Sequence, residues 1–142
     1  MKQSGHTSIE QSKKLVEAGL DPNTADMHII YHKAEKEGYF DTSLCYSKWD
    51  AEHVRGYMPC WSLGALIGLL PKTIETKKPK NLYFPEILPS NNCVAYTALN
   101  KNKEYVFLKL FATGVESDAT LIDNMVSMIC WLLKNNYIKK EK

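Results

Sequence analysis

Two histidines and an aspartate near residue 30 are the first side chains in the sequence that could do chemistry. Asp26, His28 and His32 are separated by two and four residues, so they share one face if the segment is a strand. Two imidazoles and a carboxylate form a known type of transition-metal site. The alternative is two partly exposed histidines on the polar side of a strand. We favour this alternative because no fourth ligand follows at a recognised spacing, and we expect no cofactor.

The cysteines offer a second kind of chemistry. No Cys-x-x-Cys pair occurs, which argues against a zinc ribbon or a thioredoxin-type motif. Cys60 lies just before a predicted helix, where a lowered pKa could make a thiol nucleophilic, and His53 could serve as its base. The alternative, which we favour, is that Cys60 is a small buried hydrophobe. An enzyme using Cys60 and His53, or a metal, is therefore the third interpretation of function.

A lysine cluster between residues 72 and 80 could contact phosphates. Aromatic side chains on the strands that follow could stack on bases, as they do in single-strand binders. The alternative is a solvated loop beside ordinary core aromatics. The net charge of +2 is small, and no nucleic-acid-binding motif is present. Nucleic-acid binding is therefore the second interpretation, with these lysines as its candidates: Lys72, Lys77, Lys78 and Lys80.

Trp131 is the candidate for a partner interface. It lies on the polar side of a predicted amphipathic helix, and tryptophan is enriched in protein interfaces. The alternative is cover from within the chain, by Tyr137 and Ile138 or by the loop over 72–90. The first alternative predicts a homodimer or a complex with another protein.

The segment Pro59–Pro71 is the most hydrophobic stretch of the chain. Ser62 can cap a helix over 62–70. Gly64 and Gly68 share one side of that helix, and each glycine costs about 1 kcal/mol relative to alanine. This cost predicts that another element packs directly onto the glycine side, so the helix should be central and buried on both sides.

The elements before this segment are less regular. Thr7 and Glu10 have the spacing of a capping box, which predicts an N-terminal helix ending near Gly19. A strand is predicted over 27–32 and a short one over 44–48, with a loop over 49–58. Residues 1–6 and 139–142 are expected to be frayed.

The second half predicts a hairpin followed by a helix. Residues 72–80 are expected to form a linker, and two prolines confine 82–88 to an edge or an extended loop. Two runs of β-formers within 93–111 surround a polar turn, as in a β-hairpin. An amphipathic helix over 117–136 should pack against the apolar face of that hairpin. The fold class is therefore α+β in a single domain, with a small antiparallel sheet of about 3–5 strands.

The N-terminus lacks the apolar stretch of a signal peptide. The longest apolar run has eleven residues, whereas a membrane span needs about 20. The sequence therefore predicts a cytoplasmic protein with free thiols and no membrane partner.

Three segments resemble a group of small uncharacterised proteins from prophages and mobile elements of Bacteroides-type gut bacteria. They are Thr7–Met27, Pro59–Pro71 and Trp131–Ile138. The resemblance implies a bacterial or phage protein but carries no activity. The leading interpretation is a non-enzymatic accessory or protein-interaction module of a phage or mobile element.

Overall fold

The computed structural model describes residues 5–33, 40–45, 57–113 and 118–140, with the backbone alone at 31–33 and 40–45. These residues confirm the predicted α+β class, with an N-terminal, a central and a C-terminal helix. The elements in chain order are α1 (Ile9–Glu17), β1 (Met27–Lys33), β2 (Phe40–Cys45), β3 (Tyr57–Cys60), α2 (Leu63–Leu69), β4 (Ile74–Lys77), β5 (Lys80–Leu88), β6 (Cys93–Leu99), β7 (Tyr105–Phe111) and α3 (Leu121–Lys134).

The strands form two antiparallel sheets, where the sequence predicts one. The first has the order β2-β1-β3 and the second the order β4-β5-β6-β7. The predicted hairpin is confirmed as β6 and β7. The predicted strand over 44–48 overlaps only the end of β2, and residues 46–48 lie outside the described residues. The predicted loop over 49–58 gives way to β3 at Tyr57.

Helix α3 lies at the centre of the hydrophobic core. It packs against β6 and β7, as predicted, and also against α1 and α2. Full burial of each large apolar side chain contributes roughly 1.5–3 kcal/mol, which explains why this helix organises the fold. No helix in the described part of the chain is long and apolar enough to cross a membrane. The core side chains with no exposed surface include Leu15, Trp61, Leu66, Tyr96, Met125, Ile129 and Leu132.

Helix α2 is not the enclosed element that its hydrophobicity predicts. It buries Leu66, but Ile67 on its other side is 40% exposed. Gly64 and Gly68 are both exposed, and a Cβ added at Gly68 would meet no atom of the described residues within 4 Å. The predicted close approach onto the glycine side is therefore wrong. The segment is anchored instead through Trp61, just before the helix.

The N-terminal capping box lies one residue later than predicted. The Ser8 hydroxyl accepts from Gln11 N at 3.1 Å, and the Gln11 side chain accepts from Ser8 N at 3.0 Å. The Thr7 hydroxyl is buried, and it accepts from Trp61 N at 3.0 Å and bonds the Ser12 hydroxyl at 2.8 Å. Thr7 therefore joins α1 to the start of the central segment, and the adjacent serine caps the helix.

The predicted linker over 72–80 is wrong, because it contains the β4–β5 hairpin. Residues 80–83 of β5 pair with β4, and residues 84–88 pair with β6. The hairpin turn contains a cis peptide bond between Lys78 and Pro79. The sequence predicts an edge or an extended loop over 82–88. Among the described residues 84–88 pair with β6 alone, as at an edge, but β5 as a whole lies between β4 and β6.

Candidate functional site

Asp26 has a structural task in the fold. Its carboxylate accepts hydrogen bonds from the backbone N–H of Ser62, at 2.9 Å, and from the Ser62 hydroxyl. The Ser62 hydroxyl in turn accepts from Ala65 N at 3.1 Å and caps α2, as predicted. Asp26 therefore fixes the junction between β3 and α2, which occupies both of its carboxylate oxygens.

The two histidines of the candidate metal site both lie on β1. His28 is buried, and its ring packs edge-on against Tyr57 with 5.9 Å between centroids. The side chain of His32 lies outside the described residues. No three histidine, cysteine, aspartate or glutamate side chains converge within the described part of the chain. A metal site at Asp26, His28 and His32 is the alternative that the sequence disfavours, and it stays untested.

Cys60 lies in an environment that disfavours its thiolate. It has no exposed surface and belongs to a small apolar cluster with Met27 and Ile29. Burial, and then the negative charge of Asp26, raise the pKa of the thiol to about 12. A nucleophilic cysteine needs the opposite shift. Its predicted base, His53, lies outside the described residues. The free thiols among the described residues are Cys60, Cys93 and Cys130.

Trp131 is half-buried, and part of its cover comes from its own chain. The backbone turns back after α3 at Asn136, which has a φ of 63°. Tyr137 N then donates to Leu132 O at 2.9 Å, and the Tyr137 ring lies 5.5 Å from the Trp131 ring, tilted by 33°. This is one of the two arrangements that the sequence leaves open. A role for Trp131 in binding a partner stays a prediction.

The four candidate lysines are all exposed and lie in or near the β4–β5 hairpin. Lys72 precedes β4, Lys77 ends it, Lys78 lies in the turn and Lys80 begins β5. Hairpin geometry therefore gathers Lys77, Lys78 and Lys80 at one end of the four-stranded sheet, while Lys72 lies apart from that turn.

The four-stranded sheet has an unusual solvent-facing side. Phe84, Thr97 and Phe107 lie opposite one another across β5, β6 and β7, and directly paired residues share a face. Pairing and alternation assign eleven residues to this side, which we call the outer face. They are Leu82, Phe84, Glu86, Leu88, Cys93, Ala95, Thr97, Leu99, Tyr105, Phe107 and Leu110.

Seven of these residues are large, apolar and substantially exposed. Counting about 200 Å² for each side chain, their exposures amount to about 700 Å² of apolar surface. The largest apolar patch of an ordinary monomer covers about 300–600 Å² and is often functional. The exposed fractions are Leu82 46%, Phe84 51%, Leu88 45%, Leu99 59%, Tyr105 69%, Phe107 58% and Leu110 46%.

The outer face has the shape of a trough between two ridges. On the middle strand β6 it presents the small residues Cys93, Ala95 and Thr97, which are 3%, 1% and 7% exposed. The large side chains of β5 and β7 stand on either side. Exposures this low mean that the large neighbours close over these small side chains, so the trough is shallow and its floor is already covered.

One end of the trough opens into a groove of about 660 Å³. It lies where β5 leaves β6 to pair with β4, so the two hairpins diverge. Phe84, Leu99 and Tyr105 line it, with Lys80 and Lys101. This corner therefore combines aromatic surface with two cations.

A signal for the outer face was present in β7. Tyr105 and Phe107 alternate with Val106 and Leu108, so both sides of the strand are apolar over its first half. An antiparallel sheet with one solvated face normally alternates apolar with polar residues. The sequence prediction used one apolar side for packing against the C-terminal helix, and considered the strand aromatics beyond that only as possible surfaces for stacking on bases.

Comparison of the chain with protein-family models, curated proteins and solved structures found no significant match. The outer face, the groove and the buried polar contacts are therefore the observations from which a function can be argued.

Proposed function

We propose that this chain is a protein-interaction module that binds a partner through the outer face of its four-stranded sheet. The observation that carries the proposal is the set of large apolar side chains, 45–69% exposed, on that one face. Covering about 700 Å² at roughly 25 cal/mol per Å² contributes on the order of 15 kcal/mol. Association costs about 4–15 kcal/mol or more, so burial of this face can offset much of that cost, and the affinity then depends on how well the partner fits.

The non-enzymatic part of the proposal is supported by the state of the candidate catalytic groups. Burial and the charge of Asp26 raise the pKa of Cys60 to about 12, so its thiol stays protonated at neutral pH. The Asp26 carboxylate is held by Ser62. An accessory role for a phage or mobile element follows from the sequence resemblance and stays part of the proposal.

A second candidate function is binding of single-stranded nucleic acid. The exposed aromatics Phe84, Tyr105 and Phe107 could stack on bases, while Lys80 and Lys101 lie at the groove to meet phosphates. Four exposed leucines and Glu86 share the same face, however, and suit a protein partner better. The small net charge of +2 also favours the protein.

Site-specific photo-crosslinking tests the proposal. A p-benzoylphenylalanine in place of Tyr105, which is 69% exposed, probes the outer face with little disturbance of the fold. The same group in place of Val16, which is 37% exposed on α1, is the matched control. We expect a protein adduct from position 105 that the control does not give, identified by mass spectrometry of irradiated cells.

Other crosslinking results would support the second candidate function or reject the outer face. Adducts to RNA or DNA from position 105 would support the second candidate function. No adduct from position 105, or the same protein adducts from both positions, would reject the outer face as a binding surface.

A further inference from the structure

We infer that the partner of the outer face is a second copy of this chain, and that two copies pack outer face against outer face. The inference rests on the proposed function and specifies which protein covers the outer face. Its support is the area, the shape and the charge of the outer face.

The area matches what a dimer needs. A standard protein interface buries about 800 Å² on each partner, and the seven exposed apolar side chains alone offer about 700 Å². Together with the polar rim, one face of one sheet is therefore large enough for a stable dimer. No second surface has to be added.

The shape of the face suits a copy of itself. Two sheets pack face to face about 10 Å apart, with their side chains interdigitating. Phe84 and Leu88 on β5 form an exposed ridge beside the shallow trough along β6, whose floor of small residues is covered. Around a twofold axis the exposed side chains of one copy pack against those of the other, and the same contact is made twice.

The charges of the face permit this arrangement. Glu86 is exposed on β5 and lines the groove together with Lys80 and Lys101. A face that carries both signs can meet a copy of itself without opposing like charges throughout. The net charge of +2 per chain adds little repulsion between two copies.

Sedimentation equilibrium of the full chain over a range of concentrations tests the inference. The wild type should reach twice its chain mass of 16.2 kDa. Phe107→Lys, at a position 58% exposed, should raise the dissociation constant of the dimer at least about 30-fold, as loss of an interface hot spot does. Tyr105→Lys should act in the same direction, and decides the test if Phe107→Lys fails to fold by circular dichroism.

The matched controls place the same charge on other surfaces. Val16→Lys on α1 and Ile67→Lys on α2 replace exposed apolar residues and should leave the dissociation constant unchanged. A wild type that stays monomeric at the highest concentration overturns the inference. So does a dimer that resists both outer-face substitutions, or one that the controls disrupt equally.

The two failures can be told apart. If the wild type is monomeric but position 105 still crosslinks to another protein, the outer face is a binding surface and its occupant is not a second copy. If neither occurs, the proposed function fails together with the inference.

Discussion

The indole N–H of Trp61 donates a hydrogen bond of 2.9 Å to the hydroxyl of Thr24. Trp61 has no exposed surface, and the Thr24 hydroxyl itself donates a hydrogen bond to Asp21 O at 2.6 Å. This chain of bonds ties the short 3-10 turn at Pro22–Thr24 to the start of the central segment. The most hydrophobic segment of the sequence, Pro59–Pro71, is therefore held in place at its start by a polar contact.

Removing this hydroxyl should destabilise the protein. Thr24→Val keeps the volume of the side chain but leaves the buried indole N–H without its acceptor, which costs about 1–3 kcal/mol. We expect that loss in the free energy of unfolding measured in urea. Thr24→Ser keeps the hydroxyl and is the control, with an expected change below about 1 kcal/mol. Equal losses for both variants would show that the bond itself contributes little.

The exposed glycine side of α2 should tolerate alanine. A Cβ at Gly68 meets none of the described atoms within 4 Å, so Gly68→Ala should stabilise the protein by up to about 1 kcal/mol through helix propensity. Gly19→Ala should do the reverse, because Gly19 has a φ of 106° and its added Cβ would lie 3.0 Å from the Lys140 side chain. Thermal unfolding of both variants measures the contrast. A destabilised Gly68→Ala protein would indicate that something covers this side of α2.

Truncating Trp131 should cost stability and leave any dimer intact. Its ring packs against Tyr137 of the same chain, so Trp131→Ala should lower the free energy of unfolding by about 1–3 kcal/mol. The dissociation constant of the dimer should change by less than about twofold, a difference of under 0.5 kcal/mol. Loss of the dimer in sedimentation equilibrium would instead favour the interface that the sequence predicts at Trp131.

Cys60 should make stability fall at alkaline pH. Its pKa in the folded protein, about 12, lies above the usual value of 9.0, so the folded state retains a proton that the unfolded state releases. The contribution is complete below pH 9 and is lost as the pH rises toward 12, by up to about 1.4 kcal/mol per pH unit.

Urea unfolding at several pH values between 9 and 11 measures this loss. Cys60→Ala should show a shallower decline than the wild type over the same range, whatever its stability at neutral pH. The Cys60 thiol of the native protein should also resist iodoacetamide at pH 7, where it is protonated. Parallel declines, or rapid alkylation of folded Cys60, would contradict the raised pKa.

Local pattern was enough to predict the elements with strong periodicity. The hairpin over 93–111 and the amphipathic C-terminal helix follow from the spacing of apolar residues and the polar turn between the strands. The Ser62 cap and the left-handed Gly19 are likewise local, because their geometry depends on a few neighbouring residues. The sequence did not predict the β4–β5 hairpin, because lysines and a proline are poor strand formers. Pairing between the strands compensates for this composition.

The pattern of apolar and polar residues did not predict the buried polar contacts. Asn124 belongs to the polar side of the helical wheel, yet it is buried and donates to Asn92 O at 2.8 Å and to the Thr113 hydroxyl at 3.3 Å. The Thr7 hydroxyl is likewise used by Trp61, far away in sequence. Periodicity indicates which residues share a side of a helix or strand. The buried hydrogen bonds depend instead on which residues of other elements face that side in the folded protein.

The sequence by itself determined the α+β class, the hairpin and the apolar character of both sides of β7. Only the tertiary structure decided which apolar sides are covered. Val106 packs against the core, whereas Phe107 beside it remains 58% exposed. The reason is physical: local backbone geometry sets the direction of each side chain, but its burial depends on long-range packing. That packing encloses α3, leaves the glycine side of α2 open and exposes the outer face.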